Sequence, residues 1–375
     1  MKSRPTASGS SGRPARHGTA LLRRAGAGAL LAGCCLAGCA PPGPPLPEEE
    51  TIVVPTEGSV VIYVEAPRRS ARPLLKLFEE QSGIKVSAVY QEELGARFYD
   101  VLKAEAQARR VDLFWGTSPL TAIALQRAEL TTPFRIVTAR TIPGQYRDPG
   151  FHWTGFAVNP RVIIYNDQLV ERSQAPRSIE DFNRLPWGGK GAIARIARGT
   201  PAFQAAALVS LWGAERGRQF FDTLLASGNR IVEEDSEVLQ AVTAGESLWG
   251  FIDLDQAICA RRRNEPVHIF FPDRLSLGAI VPPWVAVLLR GAPNMAQAKG
   301  LFGFLFTTDS AWQLGQYDCA LMTLLPDIPK PEWIPVLGGV NVTQIDNQAV
   351  YDAYVDNTAY FASWGAPAGE PTADP

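Results

Sequence analysis

Two carboxylates stand two residues apart in Asp253-Leu254-Asp255, at the end of a short apolar run from Leu248 to Ile252. Strand side chains alternate between faces, so a strand continuing to Asp255 would project both acids to one side. Such a pair suits general acid–base chemistry, capture of a cation, or one end of a zwitterion. A helical pattern starts directly after, and a strand end feeding a helix is where α/β proteins gather ligand groups. The bland alternative is that Asp255 caps that helix. Arg261-Arg262-Arg263 at the helix's far end reads as a solvated dipole partner.

A second candidate is Gly199-Thr200-Pro201-Ala202, which opens a long Ala-rich helix with Thr200 as cap and Pro201 in the first turn. Free N–H groups there suit an anion. Thr117 and Ser118, before Pro119, mark another helix start. Gly188-Gly189-Lys190-Gly191 lacks the frame and the Ser or Thr of a phosphate loop, and reads as a turn before a strand. His152 and His268 read as packed residues, and Trp115 and Trp249 as core or cleft wall.

The elements that must position these groups alternate. Val60–Val64, Ile84–Tyr90 and Val111–Trp115 read as strands, each followed by a helix, which predicts an α/β fold with a largely parallel sheet. Ser70 is expected to cap the first helix. Trp153–Asn166, broken at Asn159-Pro160, reads as strands passing from one lobe to another.

The chain has 375 residues, 46% hydrophobic and 20% charged, enough for about two domains. Residues 1–38 carry six basic residues and no acid, then a short apolar segment, which is the pattern of an export signal. It ends in Leu36-Ala37-Gly38-Cys39, which resembles the bacterial lipobox and implies lipidation of Cys39; Leu31-Ala32-Gly33-Cys34 is the second match. Residues 39–375 keep 30 basic and 38 acidic residues, a net of −8, so nucleic acid is not an expected partner. Cys259 and Cys319 fall in segments assigned to different lobes, which argues against a bridge between them. No zinc spacing occurs.

The segments VVIYVEAPRRSARPLLKLFEEQSGIKV, VDLFWGTSPL, WTGFAVNPRVIIYN, WGGKGAIARIARGTPAF and AGESLWGFIDLDQA resemble, in order and spacing, the iron(III)-type solute-binding proteins of bacterial ABC importers. The resemblance implies a type II periplasmic binding protein, with two α/β lobes closing on a ligand in the cleft. It implies a signal peptide over 1–38, a tether over 39–58, a first lobe over 59–165 and 269–325, a second over 166–268, and a helical tail over 326–375. It implies no catalysis, no cofactor beyond a transported metal or metal complex, a permease partner, a monomeric body and an extracytoplasmic, membrane-anchored location. Sensing through the same fold, or acid–base chemistry by Asp253 and Asp255, are the other readings.

Where ferric-binding members place their ligands, this chain has Pro67 beside Arg68 and Arg69, then Thr117, then Asp255-Gln256 in place of two tyrosines. Hard ferric iron prefers anionic oxygens, so this set argues against a bare ferric site. The resemblance keeps an anion site at Gly199, Thr200 and Ala202. Arg195, Arg68 or Arg69 would support it, with Asp253, Asp255 and Gln256 opposite. That combination suits an iron complex or a small anionic or zwitterionic solute.

Overall fold

The computed structural model describes residues 45–52, 54–316, 321–326, 328 and 330–367. The export signal, Cys34, Cys39, the first part of the tether and Cys319 lie outside the described residues.

The β-branched run Ser59–Val64 forms the centre of the first lobe. It pairs in parallel with Lys85–Tyr90 on one side and Leu113–Gly116 on the other. Helix Arg68–Ser82 covers this sheet with Leu74, Leu75 and Phe78, and Gly83 ends it at φ 75°. It starts earlier than its sequence suggests. Pro67 takes the cap position without a side-chain bond, Pro73 lies inside the helix, and Ser70 is buried rather than capping.

The sheet is mixed, not largely parallel. Pro283–Leu289 runs antiparallel to both Leu113–Gly116 and Thr154–Val158. The second lobe repeats the arrangement. Arg230–Val232, Gly191–Ala194 and Trp249–Asp253 are parallel, while Arg161–Tyr165 runs antiparallel to Trp249–Asp253 and to His268–Phe270. In each lobe a strand that arrives from the other lobe, Pro283–Leu289 or Arg161–Tyr165, runs against its parallel neighbours. It enters at the cleft, whereas the parallel strands end there.

Among the described residues the chain passes between the two sheets twice, and the C-terminal helices then return to the second lobe. The first crossing lies between Val158 and Arg161, so Arg161–Tyr165 belongs to the second sheet, although the sequence reading kept it in the first lobe. Pro160 explains the early break, because it has no N–H for a ladder. The return runs between Phe270, still paired in the second sheet, and Pro283, which begins the first-lobe strand. The two crossings bond to each other through Asn159 N to Pro282 O at 3.1 Å and Arg161 N to Ile280 O at 3.0 Å.

The acidic stretch read as a tether is docked from about residue 49. Glu49–Glu50 pairs in parallel with Arg135–Ile136, and Glu49 meets Arg135 at 3.1 Å and also Arg140. Ile52 packs on the first-lobe core. Acids followed by an isoleucine match the basic Arg135 and Arg140 and the apolar core beside them, so this segment forms a two-stranded sheet with Arg135–Ile136 instead of hanging free. The C-terminal helix Asn347–Asp356 is likewise more than a tail. It packs on helix Gly199–Trp212 of the second lobe and on Pro119–Arg127 of the first, with Arg127–Asp352 at 2.6 Å.

Gly191 begins a second-lobe strand, and a Cβ there would stand 2.3 Å from the Trp249 ring. Its glycine serves that packing. Trp249 is core, stacked on Phe182 at 3.6 Å, and Trp115 is core too. Cys259 is buried and disulfide-bonded, although the sequence argued against pairing it with Cys319. It is the only cysteine among the described residues.

Candidate functional site

The parallel strands of both lobes end at one cleft of about 320 Å³. Glu65 follows the first strand, Thr117 the third, Arg195 the strand Gly191–Ala194, and Glu233 the strand Arg230–Val232; all line the cleft. Asp253 and Asp255 line it as well, but not as neighbours on one strand. The strand stops at Asp253, and Asp255 lies in the first turn of helix Leu254–Arg262.

Their environments differ. Asp253 Oδ1 accepts from Arg161 Nη1 at 2.9 Å, and its Oδ2 accepts from Thr200 Oγ1 at 2.7 Å. Arg161 also bonds Asp235, donates to the Phe251 carbonyl at 3.0 Å and reaches Gln204 at 3.2 Å. Asp253 is therefore a brace under the cleft floor. Burial, with Asp235 and Asp255 nearby, outweighs the Arg161 charge and lifts its pKa to about 7. Asp255 exchanges two bonds with Asn159. Its Oδ1 accepts from Nδ2 at 2.9 Å and its N–H donates to Oδ1 at 3.1 Å. Its Oδ2 is 4.0 Å from Arg69, which is itself half exposed. Burial raises this carboxyl too. The asymmetry does not favour a paired acid and base, because both Asp253 oxygens are already engaged.

Thr200 does not cap its helix. The helix begins at Gly199, held at φ 67°, with Arg198 as the uncapped N-cap. The Thr200 hydroxyl turns down to Asp253 instead. The first N–H groups of the helix have no intrahelical acceptor, so they remain suited to an anion. Ala202 is buried and does not line the cleft. Gln256 lines it; Ser118 is buried behind it without a capping bond. Thr117 lines it while spending its N–H and hydroxyl on Glu65.

The arginines are redistributed. Arg68 is not in the cleft, because it pairs with Glu93 and lies 4.4 Å from the Tyr90 ring centre. The early start of its helix turns it outward. Arg195 lines the cleft, but its charge is answered by Glu233 at 3.0 Å, and its Nη2 donates to the Ala362 carbonyl at 3.0 Å. Arg198, which sequence reasoning passed over, stands exposed at the helix start. His152 bonds Thr131 at 2.7 Å, and His268 packs on Tyr165 at 5.2 Å.

Three other groups were missed. Glu65 accepts from Thr117 N at 2.9 Å and Thr121 Oγ1 at 2.5 Å, and burial raises its pKa. Trp284, in the reversed first-lobe strand, lines the cleft. Arg161 anchors the floor. Its signal was available, since a lone charge opens an otherwise apolar strand. Altogether seven carboxylates and two arginines line the cleft, so it favours a positive group, with Arg198 and the helix start left for a negative one. Among the described residues, no three His, Cys, Asp or Glu side chains form a group that could hold a metal ion.

A model of the bacterial extracellular solute-binding proteins matches residues 122–317. The "Fe(3+)-binding periplasmic protein" of Serratia marcescens is 26% identical over 195 residues, 52% of this chain and 56% of that protein. The chain thus spans little more than half of that relative. The "Putative 2-aminoethylphosphonate-binding periplasmic protein" of Salmonella typhimurium is 26% identical over 250 residues, 64% of this chain and 69% of that protein. Among solved structures, the ferric binding protein from Campylobacter jejuni superposes with a TM-score of 0.73 at 16% identity, covering 82% of this chain and 99% of that one. A periplasmic binding protein from Actinobacillus pleuropneumoniae, with fructose-6-phosphate bound, gives 0.68 at 16% identity, covering 80% and 98%. These likenesses show the two-lobed periplasmic binding protein fold.

Proposed function

The chain belongs to the family of bacterial extracellular solute-binding proteins, and from that premise we propose that it is an extracytoplasmic receptor that captures a small solute and delivers it to an ABC importer. Two lobes joined by two bonded crossings, with the C-terminal helix Asn347–Asp356 packed on both, can close about that side, and a solute that bridges them shifts the population toward closure. The observation that carries the ligand reading is the cleft's charge. Glu65 on one lobe and Asp255 on the other offer carboxylates to a cation, while Arg198 and the helix start at Gly199 offer donors to an anion. A small zwitterion with an amine and a phosphonate, phosphate or carboxylate fits both ends. That the Salmonella relative is described as 2-aminoethylphosphonate-binding supports this choice. The absence of tyrosines at Asp255-Gln256 weighs against bare ferric iron.

Lipidation of Cys39 would hold the receptor at a membrane. Because Glu49 is already docked on the first lobe, only about ten residues separate it from the anchor, a reach of roughly 30 Å when extended. Incorporation of labelled palmitate, lost in Cys39→Ala, checks the anchor. The disulfide at Cys259 suits an oxidising compartment.

Thermal shift of the full-length protein tests the ligand. 2-Aminoethylphosphonate should raise the midpoint more than inorganic phosphate or an alkylamine does. A larger rise with free ferric ion, accompanied by a visible charge-transfer band, would overturn the zwitterion reading.

A further inference from the structure

The second lobe carries another cavity, of about 510 Å³, on the far edge of its sheet and apart from the cleft. Ligand pockets commonly measure ~300–1,000 Å³. Its floor is aromatic, made by the buried Tyr165 and by Phe270 of the edge strand His268–Phe270. Arg172, Arg177 and Arg274 line it, and none forms an ion pair with the described residues. The Arg177 guanidinium lies 5.7 Å from the Phe270 ring centre.

The walls are fixed to each other. Asp273 N donates to the Arg177 carbonyl at 2.8 Å, and the Asp273 carboxylate accepts from Ile179 N at 3.2 Å and Ser276 Oγ at 3.1 Å. That carboxylate is buried and serves the two loops, leaving three guanidinium groups without an answering charge. The positive field is felt nearby. Arg172 and Arg261, after burial, hold the His268 imidazole below its ordinary pKa.

We propose that this cavity is a second binding site, for a small organic anion with an aromatic body, such as an aryl phosphate or aryl carboxylate. Guanidinium groups bind phosphate and carboxylate by charge-assisted, often bidentate bonds. Tyr165 and Phe270 supply a stacking surface that an inorganic anion would not use, and the volume far exceeds what such an ion fills. The site lies within one lobe, so it does not depend on the solute of the cleft or on closure.

Calorimetry of the full-length protein with phenyl phosphate tests it, beside inorganic phosphate and benzyl alcohol. Phenyl phosphate should bind more tightly than either. The exposed reversal pair Arg172→Glu and Arg274→Glu should weaken it by at least about tenfold, since each change removes a charge-assisted bond and adds a repulsive charge. Arg198→Glu, at the cleft, should leave it unchanged. Binding should also raise the His268 pKa followed by imidazole proton resonances, a readout that mere loss of folding would not give. Absence of binding, binding untouched by the paired reversal, or binding abolished by Arg198→Glu would each overturn the proposal.

Discussion

Replacing Arg161 with methionine is expected to lower the unfolding free energy by roughly 3–5 kcal/mol at pH 8, because it strands two buried carboxylates. Asp235 and Asp253 both bond this guanidinium, and both are nearly inaccessible. The deficit should depend on pH in a definite direction. The Asp253 carboxyl is raised from 3.8 to about 7, so the folded state binds more protons than the unfolded chain across that interval. Stability from this group is therefore greatest at the acid end and is lost as pH rises toward 7. Without Arg161 the Asp253 carboxyl is harder still to ionise, so the deficit should be smaller near pH 5 than near pH 8. Urea unfolding at the two values checks it. An equal deficit at both would mean that Arg161 acts through packing on Phe251 rather than through the acids. Adding Asp235→Asn and Asp253→Asn to Arg161→Met should recover much of the loss at pH 8.

The same cluster shows where sequence reasoning stopped. The alternation of apolar runs and helices was legible because burial imposes period and length. Asp253, Asp255, Gly199 and Thr200 were legible as cleft residues because strand ends and helix starts leave unsatisfied groups. Roles within the cleft were not. Whether Thr200 caps its helix or bonds Asp253 depends on which partner lies beneath it, and that partner comes from strands distant in sequence. Arg68 looked like a cleft cation by position. A helix begun at Pro67 instead of Ser70 turns it to Glu93 and Tyr90. The docked Glu49 was hidden for the same reason, since a run of prolines and glutamates reads as extended whether or not a basic segment is there to pair with it.

The largest effect on binding is expected from Glu65 and Asp255, acids that line the cleft from different lobes. Glu65 belongs to the first lobe and Asp255 to the second, so a cation held by both is better satisfied in the closed form, and that difference is what drives closure. Glu65→Gln and Asp255→Asn should each weaken 2-aminoethylphosphonate by roughly 10- to 100-fold, the scale of one charge-assisted bond in a desolvated site. Neither should weaken a phosphonate lacking the amine, whereas Arg198→Ala should weaken both compounds. Burial raises both carboxyls, which favours their protonated form and opposes holding a cation. Affinity for the amine should therefore increase as pH rises, with proton release read from the dependence of the binding enthalpy on buffer ionisation enthalpy. If Glu65→Gln leaves the amine compound unaffected while Asp255→Asn abolishes it, the cation is read by one lobe alone. The force for closure then has to come from the anionic end, at Arg198 and the free N–H groups of Gly199 and Thr200.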